Sequence, residues 1–194
     1  MSSLTVLIIR HAEKPDESGT EQGFTGNGAS DKKSLTIRGW QRAGSWSTLF
    51  GSGLGGADYP QPAVIYAANP TSAGGKEPSQ RPWETVSPLA ARLGLKLDTT
   101  YAEGNEIDLA TRISSLVGGV VLICWEHKMI VEGLLPAIAG NRSIPGVPTK
   151  WNGDRFDVVL RFDRANPGAA WFFRQLFPRL LSGDSDVALG GNQD

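Results

Sequence analysis

A chain of 194 residues with a net charge of −1 is long enough for one α/β domain with a substantial core. Its charge balance leaves no electrostatic footprint for nucleic acid or an anionic membrane surface, so any anion it handles is held by a local arrangement of arginines. The single cysteine, Cys124, excludes an internal disulfide, and its place in the run Val120-Val-Leu-Ile-Cys124 reads as a buried, inert thiol. No stretch reaches the roughly eighteen consecutive apolar residues of a membrane helix, and no basic region or small-residue cleavage site marks a signal peptide. A soluble, cytoplasmic protein is expected.

In chain order, Leu4-Thr-Val-Leu-Ile-Ile-Arg10-His11 is a nearly continuous apolar run ending in an arginine and a histidine. Such a run is what a central parallel strand shows, because helices cover both its faces. Residues 16 to 34 read as a long polar loop. Thr36 then N-caps a helix over 37–50 with Trp40, Ala43, Leu49 and Phe50 near one face. Residues 63–67 predict a second strand, and 69–80, with Lys76, a second loop at a strand's carboxyl end. A helix follows over 81–93, with Pro82 in its first turn, Pro88 as a possible kink and Gly94 as its stop. A short strand is expected at 95–97 and a helix at 106–117. The run 120–125 is a buried strand delivering Glu126 and His127, followed by a helix over 128–139 and a loop over 143–154. Strands are expected at 156–162 and within 169–177. The whole reads as a single domain over 1–182, with 183–194 a flexible tail.

The chain has two histidines, His11 and His127, each at the end of one of its two most apolar strand-like runs. Parallel strands can end side by side at one sheet edge, and ligands bind beyond such ends. Arg10 and Arg81 also fall at predicted strand or helix ends. The planar fork of arginine matches phosphate oxygens two at a time. A neutral imidazole is a competent nucleophile toward phosphorus, and a second one can hydrogen-bond the equatorial oxygens as charge develops. Together these parts suffice for phosphoryl transfer through a covalent intermediate.

The segments carrying these residues resemble the histidine phosphatase superfamily, the phosphoglycerate-mutase-like proteins. Arg10-His11-Ala12-Glu-Lys-Pro15 resembles the Arg-His-Ala variant of the Arg-His-Gly signature. Leu35-Thr-Ile-Arg-Gly39-Trp-Gln41-Arg-Ala43 is similar to the family's Leu-Thr-x-x-Gly-x-x-Gln-Ala helix, and Ser79-Gln-Arg81-Pro-Trp-Glu-Thr85-Val to its second-arginine segment. The apolar strand to His127 and a late strand complete the match, which runs from about residue 4 to 165.

The resemblance implies a three-layer α/β/α fold with a mostly parallel central sheet and one antiparallel strand. It implies His11 as the phosphorylated nucleophile, Arg10 and Arg81 as phosphate ligands, His127 completing the pocket, and neither metal nor organic cofactor. Glu103 stands nearest the family's proton donor, with Glu106 and Glu126 as competitors. The expected activity is that of a metal-independent phosphatase acting on a phosphomonoester or a protein phosphohistidine. A phosphomutase and a non-catalytic phospho-ligand binding module are the alternatives, the latter supported by Ala12 in place of glycine. The expected partner is a small phosphorylated substrate or phosphate ion, with no nucleic acid and no membrane; oligomeric state stays open.

Overall fold

The computed structural model describes residues 3–16, 18–71, 78–140 and 142–190. Lys76 with the rest of 72–77 in the 69–80 loop, Asn141 and the last four residues of the expected tail lie outside them. One five-stranded sheet, ordered β2-β3-β1-β4-β5, organises the chain. Its centre is β1 (Leu4–Arg10), every residue of which is buried. On one side β1 pairs in parallel with β3 (Gly119–Trp125), and β3 in turn with β2 (Val64–Ala67). On the other side β4 (Val159–Arg164) runs antiparallel to β1, and β5 (Phe172–Leu176) antiparallel to β4. Four strands therefore point one way and β4 alone opposes them.

Helices cover both faces, which is why β1 and β3 carry no alternation. Helices α1 (Ile37–Gly51) and α2 (Arg81–Leu93) pack together over Leu7, Ile9, Ile65 and Leu122. On the other face α3 (Glu106–Ser114) and the helical run after β3 cover Val6, Ile8, Val121 and Ile123. No helix among the described residues is long and apolar enough to cross a membrane.

Local chemistry sets the element ends. Thr36 Oγ1 accepts the Gly39 amide at 3.1 Å, capping α1 as expected. Gly94, at φ 64°, ends α2 in the left-handed conformation that glycine adopts without strain. Helix α2 runs through Pro88 unbroken.

Several expectations are corrected. Residues 95–97 form no strand; Asp98 makes a single bridge to Tyr66. The 106–117 helix stops at Ser114. The 128–139 helix starts at His127 and is three pieces: α4 (His127–Met129), a π-helical turn (Ile130–Leu134) and α5 (Leu135–Ile138). Pro136 cannot donate to the Glu132 carbonyl and its ring would crowd it, so a wide turn just before it relieves the conflict. The strand expected at 156–162 begins at Val159, because residues 155–157 are occupied by side-chain partners described below. Finally, residues 183–190, though mostly exposed, are tied to the rest of the domain: Leu189 is 4% exposed, and its amide donates to Gln175 Oε1 at 2.8 Å.

Candidate active site

Arg10 and His11 leave the carboxyl end of β1, and Glu126 and His127 leave that of β3. Arg10 is in register with Trp125, and the His11 amide donates to the Trp125 carbonyl at 3.0 Å. The two histidines thus emerge from neighbouring parallel strands at one sheet edge. Helix α2 brings Arg81 to the same edge through Thr85, whose hydroxyl donates to the Arg81 carbonyl at 2.7 Å and accepts the Ala12 amide at 2.8 Å. Thr85 is therefore the clasp between the second-arginine helix and the His11 segment. On the other flank, a Cβ on Gly39 would stand 2.5 Å from the Glu13 carbonyl oxygen. The glycine lets the first turn of α1 abut this segment, where the Thr36 amide donates to that carbonyl at 3.0 Å.

His11 is 4% exposed. Its Nδ1 lies 2.7 Å from the Ala12 carbonyl, which can only accept, so Nδ1 carries the proton and Nε2 presents a lone pair. Burial, reinforced by the positive charges of Arg10 and Arg81, lowers its pKa to about 3. The ring is neutral throughout the physiological range.

Arg10 is wholly buried. Its Nη1 donates to three carbonyls, of Asn152 at 3.3 Å, Gly153 at 2.8 Å and Arg155 at 2.9 Å. Phe156 lies over the guanidinium, 3.8 Å from ring centroid to Cζ, with its ring 6.1 Å from that of His11. Nε and Nη2 are buried without a partner among the described residues. Such donors are expensive to leave unpaired. Burial lowers the Arg10 pKa to about 10, which leaves it a cation at neutral pH.

Arg81 is half-buried. Its Nη2 donates to the Lys32 carbonyl at 2.6 Å, while Nε is buried without a hydrogen-bond partner among the described residues. Burial lowers its pKa against the opposing pull of Asp31, Glu84 and Glu103. Lys32 also lines a cavity of about 510 Å³ with Pro15, Asp16, Glu21, Gln22 and Ser30, whose lining includes none of Arg10, His11, Arg81 and His127. A groove of about 580 Å³ on the outer side of α1, by Leu49, Leu54 and Leu180, includes none of the four residues.

His127, 8% exposed, has its Nδ1 2.6 Å from Glu126 Oε1. Glu126 Oε2 N-caps α4, accepting the Lys128 and Met129 amides at 2.8 and 2.9 Å. Burial alone would raise the Glu126 pKa, but the His127 ring and the amides outweigh it and hold the carboxyl near 2. Glu126 is thus a fixed anion, ill-suited to donating a proton at neutral pH. Glu106 is committed elsewhere: it accepts the Trp125 indole N–H at 2.8 Å and the Gly104 amide at 2.9 Å. That bond steadies the end of β3 just before Glu126, and Gly133 makes room for it. Glu103 is half-buried in the turn before α3, within electrostatic reach of Arg81.

The sequence leaves unread the Thr85–Ala12 contact, the place of Phe156 and the carbonyls of residues 152, 153 and 155. Trp151 packs in the core, as its size suggests, and its indole N–H donates to the Arg155 carbonyl at 2.9 Å.

Taken together, the sheet order, the single reversed strand and the helix layers give this chain a phosphoglycerate-mutase-like α/β fold. Two of the solved structures that share it are mycobacterial. One is a mycobacterial glucosyl-3-phosphoglycerate phosphatase, with a TM-score of 0.53 and 13% identity over 88% of this chain and 97% of that one. The other is mycobacterial hydrolase 2, with a TM-score of 0.52 and 13% identity over 89% and 90%. No family model matches the chain, and no curated protein matches its sequence.

Proposed function

We propose that this protein is a metal-independent phosphatase that cleaves a phosphomonoester through a phosphohistidine on His11. The observation that carries the reading is the pairing of a neutral imidazole, its Nε2 lone pair free, with the unpartnered Nε and Nη2 donors of the buried Arg10. Two donors on one edge of a guanidinium match two oxygens of a phosphoryl group. Arg81 supplies the second cation, and with Arg10 offsets the charge of a phosphate dianion.

In the first step Nε2 of His11 attacks phosphorus. The N–P bond forms, the bond from phosphorus to the ester oxygen breaks, and the departing alkoxide takes a proton from Glu103. Arg10, Arg81 and His127 hold the three equatorial oxygens. In the second step the Glu103 carboxylate takes a proton from water, whose oxygen attacks phosphorus. The N–P bond breaks, and inorganic phosphate and neutral His11 are regenerated. Glu103 is assigned this task from its place in the turn before α3, within electrostatic reach of Arg81, whereas the Glu126 carboxyl is held near 2 at the α4 cap.

The fold is shared with a glucosyl-3-phosphoglycerate phosphatase, which supports a small phosphorylated substrate here.

The test is hydrolysis of p-nitrophenyl phosphate in EDTA, followed by acid-quench and base-quench trapping from a phosphorylated substrate. The expected results are turnover in chelator and an acid-labile, base-stable phosphoenzyme absent from His11→Ala. Trapping on serine or cysteine, or turnover lost on adding EDTA, overturns the mechanism. Phosphate binding without turnover by the wild-type protein favours a binding module.

A further inference from the structure

The sequence reads residues 183–194 as a loose tail, yet its described part reaches the catalytic dipeptide by two separate routes. The first runs through Asp184. Its carboxylate takes two bonds from Arg42, at 3.1 Å from Nη1 and 2.7 Å from Nη2. Arg42 in turn donates to Glu13 from Nε at 3.0 and 3.1 Å and from Nη2 at 2.8 Å. The Arg42 and Asp184 side chains are each 2% exposed, and Glu13 stands two residues after His11.

The second route runs through Arg155. Its Nε donates to Asp157 Oδ1 at 2.8 Å, its Nη1 to the Val187 carbonyl at 2.8 Å and its Nη2 to the Ser185 carbonyl at 3.4 Å. The Ser185 amide closes the circuit on Asp157 Oδ2 at 2.6 Å. Arg155 is also the residue whose main-chain carbonyl receives Nη1 of Arg10.

We infer that residues 181–190 form a strap that positions the phosphate pocket, one arm (Asp184–Arg42–Glu13) setting the His11 segment and the other (Ser185/Val187–Arg155) setting the carbonyl cage of Arg10. Asp184, Arg42 and Arg155 are positioning residues: none is placed to touch substrate. The reason to tie both arms to one segment is geometric. In-line attack needs the His11 nitrogen and the Arg10 fork in fixed relation, and an ångström of error costs on the order of a hundredfold in rate. A buried bidentate carboxylate–guanidinium bridge is stiff, and removing one partner leaves an uncompensated charge in the core. The arms act on different groups, so their loss reads out differently.

This inference rests on the proposed phosphatase reading, and the experiment separates the two. Asp184→Asn, Arg155→Gln and the double variant are compared with wild type for kcat and KM on p-nitrophenyl phosphate, inhibition by inorganic phosphate, thermal melting and amide hydrogen exchange. An exposed pair in the same segment, Arg179 with Asp186 at 3.6 Å, supplies the control variant Asp186→Asn, expected to behave as wild type.

For Asp184→Asn we expect kcat to fall roughly tenfold to a hundredfold, with phosphate inhibition nearly unchanged and faster exchange confined to peptides covering residues 9–15. For Arg155→Gln we expect KM and the phosphate inhibition constant to rise about tenfold or more, with faster exchange over residues 150–157. Equal losses of kcat and KM effects in both variants, or exchange unchanged at those peptides, overturn the strap. Should Asp184→Asn fail to fold, Arg155→Gln still tests its own arm. If wild type neither turns over nor binds phosphate, the functional reading falls, while the exchange pattern still decides whether the strap sets the two segments.

Discussion

The two histidines sit on adjacent strands at one sheet edge, yet their surroundings are opposite. His11 is buried among cations, with its proton pinned on Nδ1 by the Ala12 carbonyl, and is neutral. His127 faces an anion, Glu126, at 2.6 Å. The same side chain thus meets cations in one setting and a carboxylate in the other, and the proposed mechanism gives the two rings different tasks, nucleophile at His11 and oxygen ligand at His127. Both rings are buried, and burial is the larger cause of the low His11 pKa; what sets the two sites apart is the neighbours, two guanidiniums against one carboxylate.

The sharpest way to break this contrast is to remove each ring. His11→Ala is expected to lose turnover by on the order of 10⁴-fold or more, and His127→Ala by about 10²-fold to 10³-fold, measured as kcat/KM on p-nitrophenyl phosphate. Equal losses would mean that the two rings do not divide the work.

Neutralising the partner of His127 is the next step down. Glu126→Gln is expected to lower kcat on the order of tenfold, less than loss of the donor ring itself. It also costs about 1 kcal/mol of stability by weakening the α4 cap, read as a shift in the urea midpoint.

The pKa of His11 makes a prediction about acid. The unfolded chain binds a proton at this residue below about 6.5, whereas the folded protein does so only near 3. The stabilising contribution is therefore fully present above pH 6.5 and is lost progressively as pH falls toward 3. Urea denaturation between pH 7 and 4 follows this slope, and His11→Gln flattens it. In the same range kcat/KM lacks the acid limb near 6.5 that an exposed histidine would impose. A limb at 6.5 carried by His11 would show that the ring is more hydrated than its burial implies.

The smallest effect is expected at Cys124, whose thiol is buried, with its pKa raised by that burial. Cys124→Ala leaves turnover within about twofold and costs about 1 kcal/mol of stability, and thiol reagents leave the native protein active.

The meeting of Arg10, His11 and His127 at one sheet edge was legible because a strand buried on both faces writes itself as an unbroken apolar run, and the polar residue that ends it marks the strand's carboxyl end. Arg81 was legible through Pro82 and the helix pattern behind it. The residues that hold these groups in place left no such mark. Thr85 meets Ala12 across 73 positions and Arg42 meets Asp184 across 142, and pairs so far apart impose no local period. The 183–190 segment misled for a related reason: its Gly, Asp and Ser composition is that of a solvated tail, while its order comes from partners elsewhere. The start of β4 was misplaced because Phe156 and Asp157 fit strand alternation but serve Arg10 and the strap.

β4, the one reversed strand, enters the sheet opposite Ile9 and leaves it opposite Leu4. The loop preceding it therefore supplies carbonyls to Arg10, while the hairpin that follows, residues 165–171, turns at the far pole of the molecule. That hairpin is the natural graft point: a fluorophore, an affinity tag or a whole guest domain inserted there would ride on the sheet without reaching the chemistry.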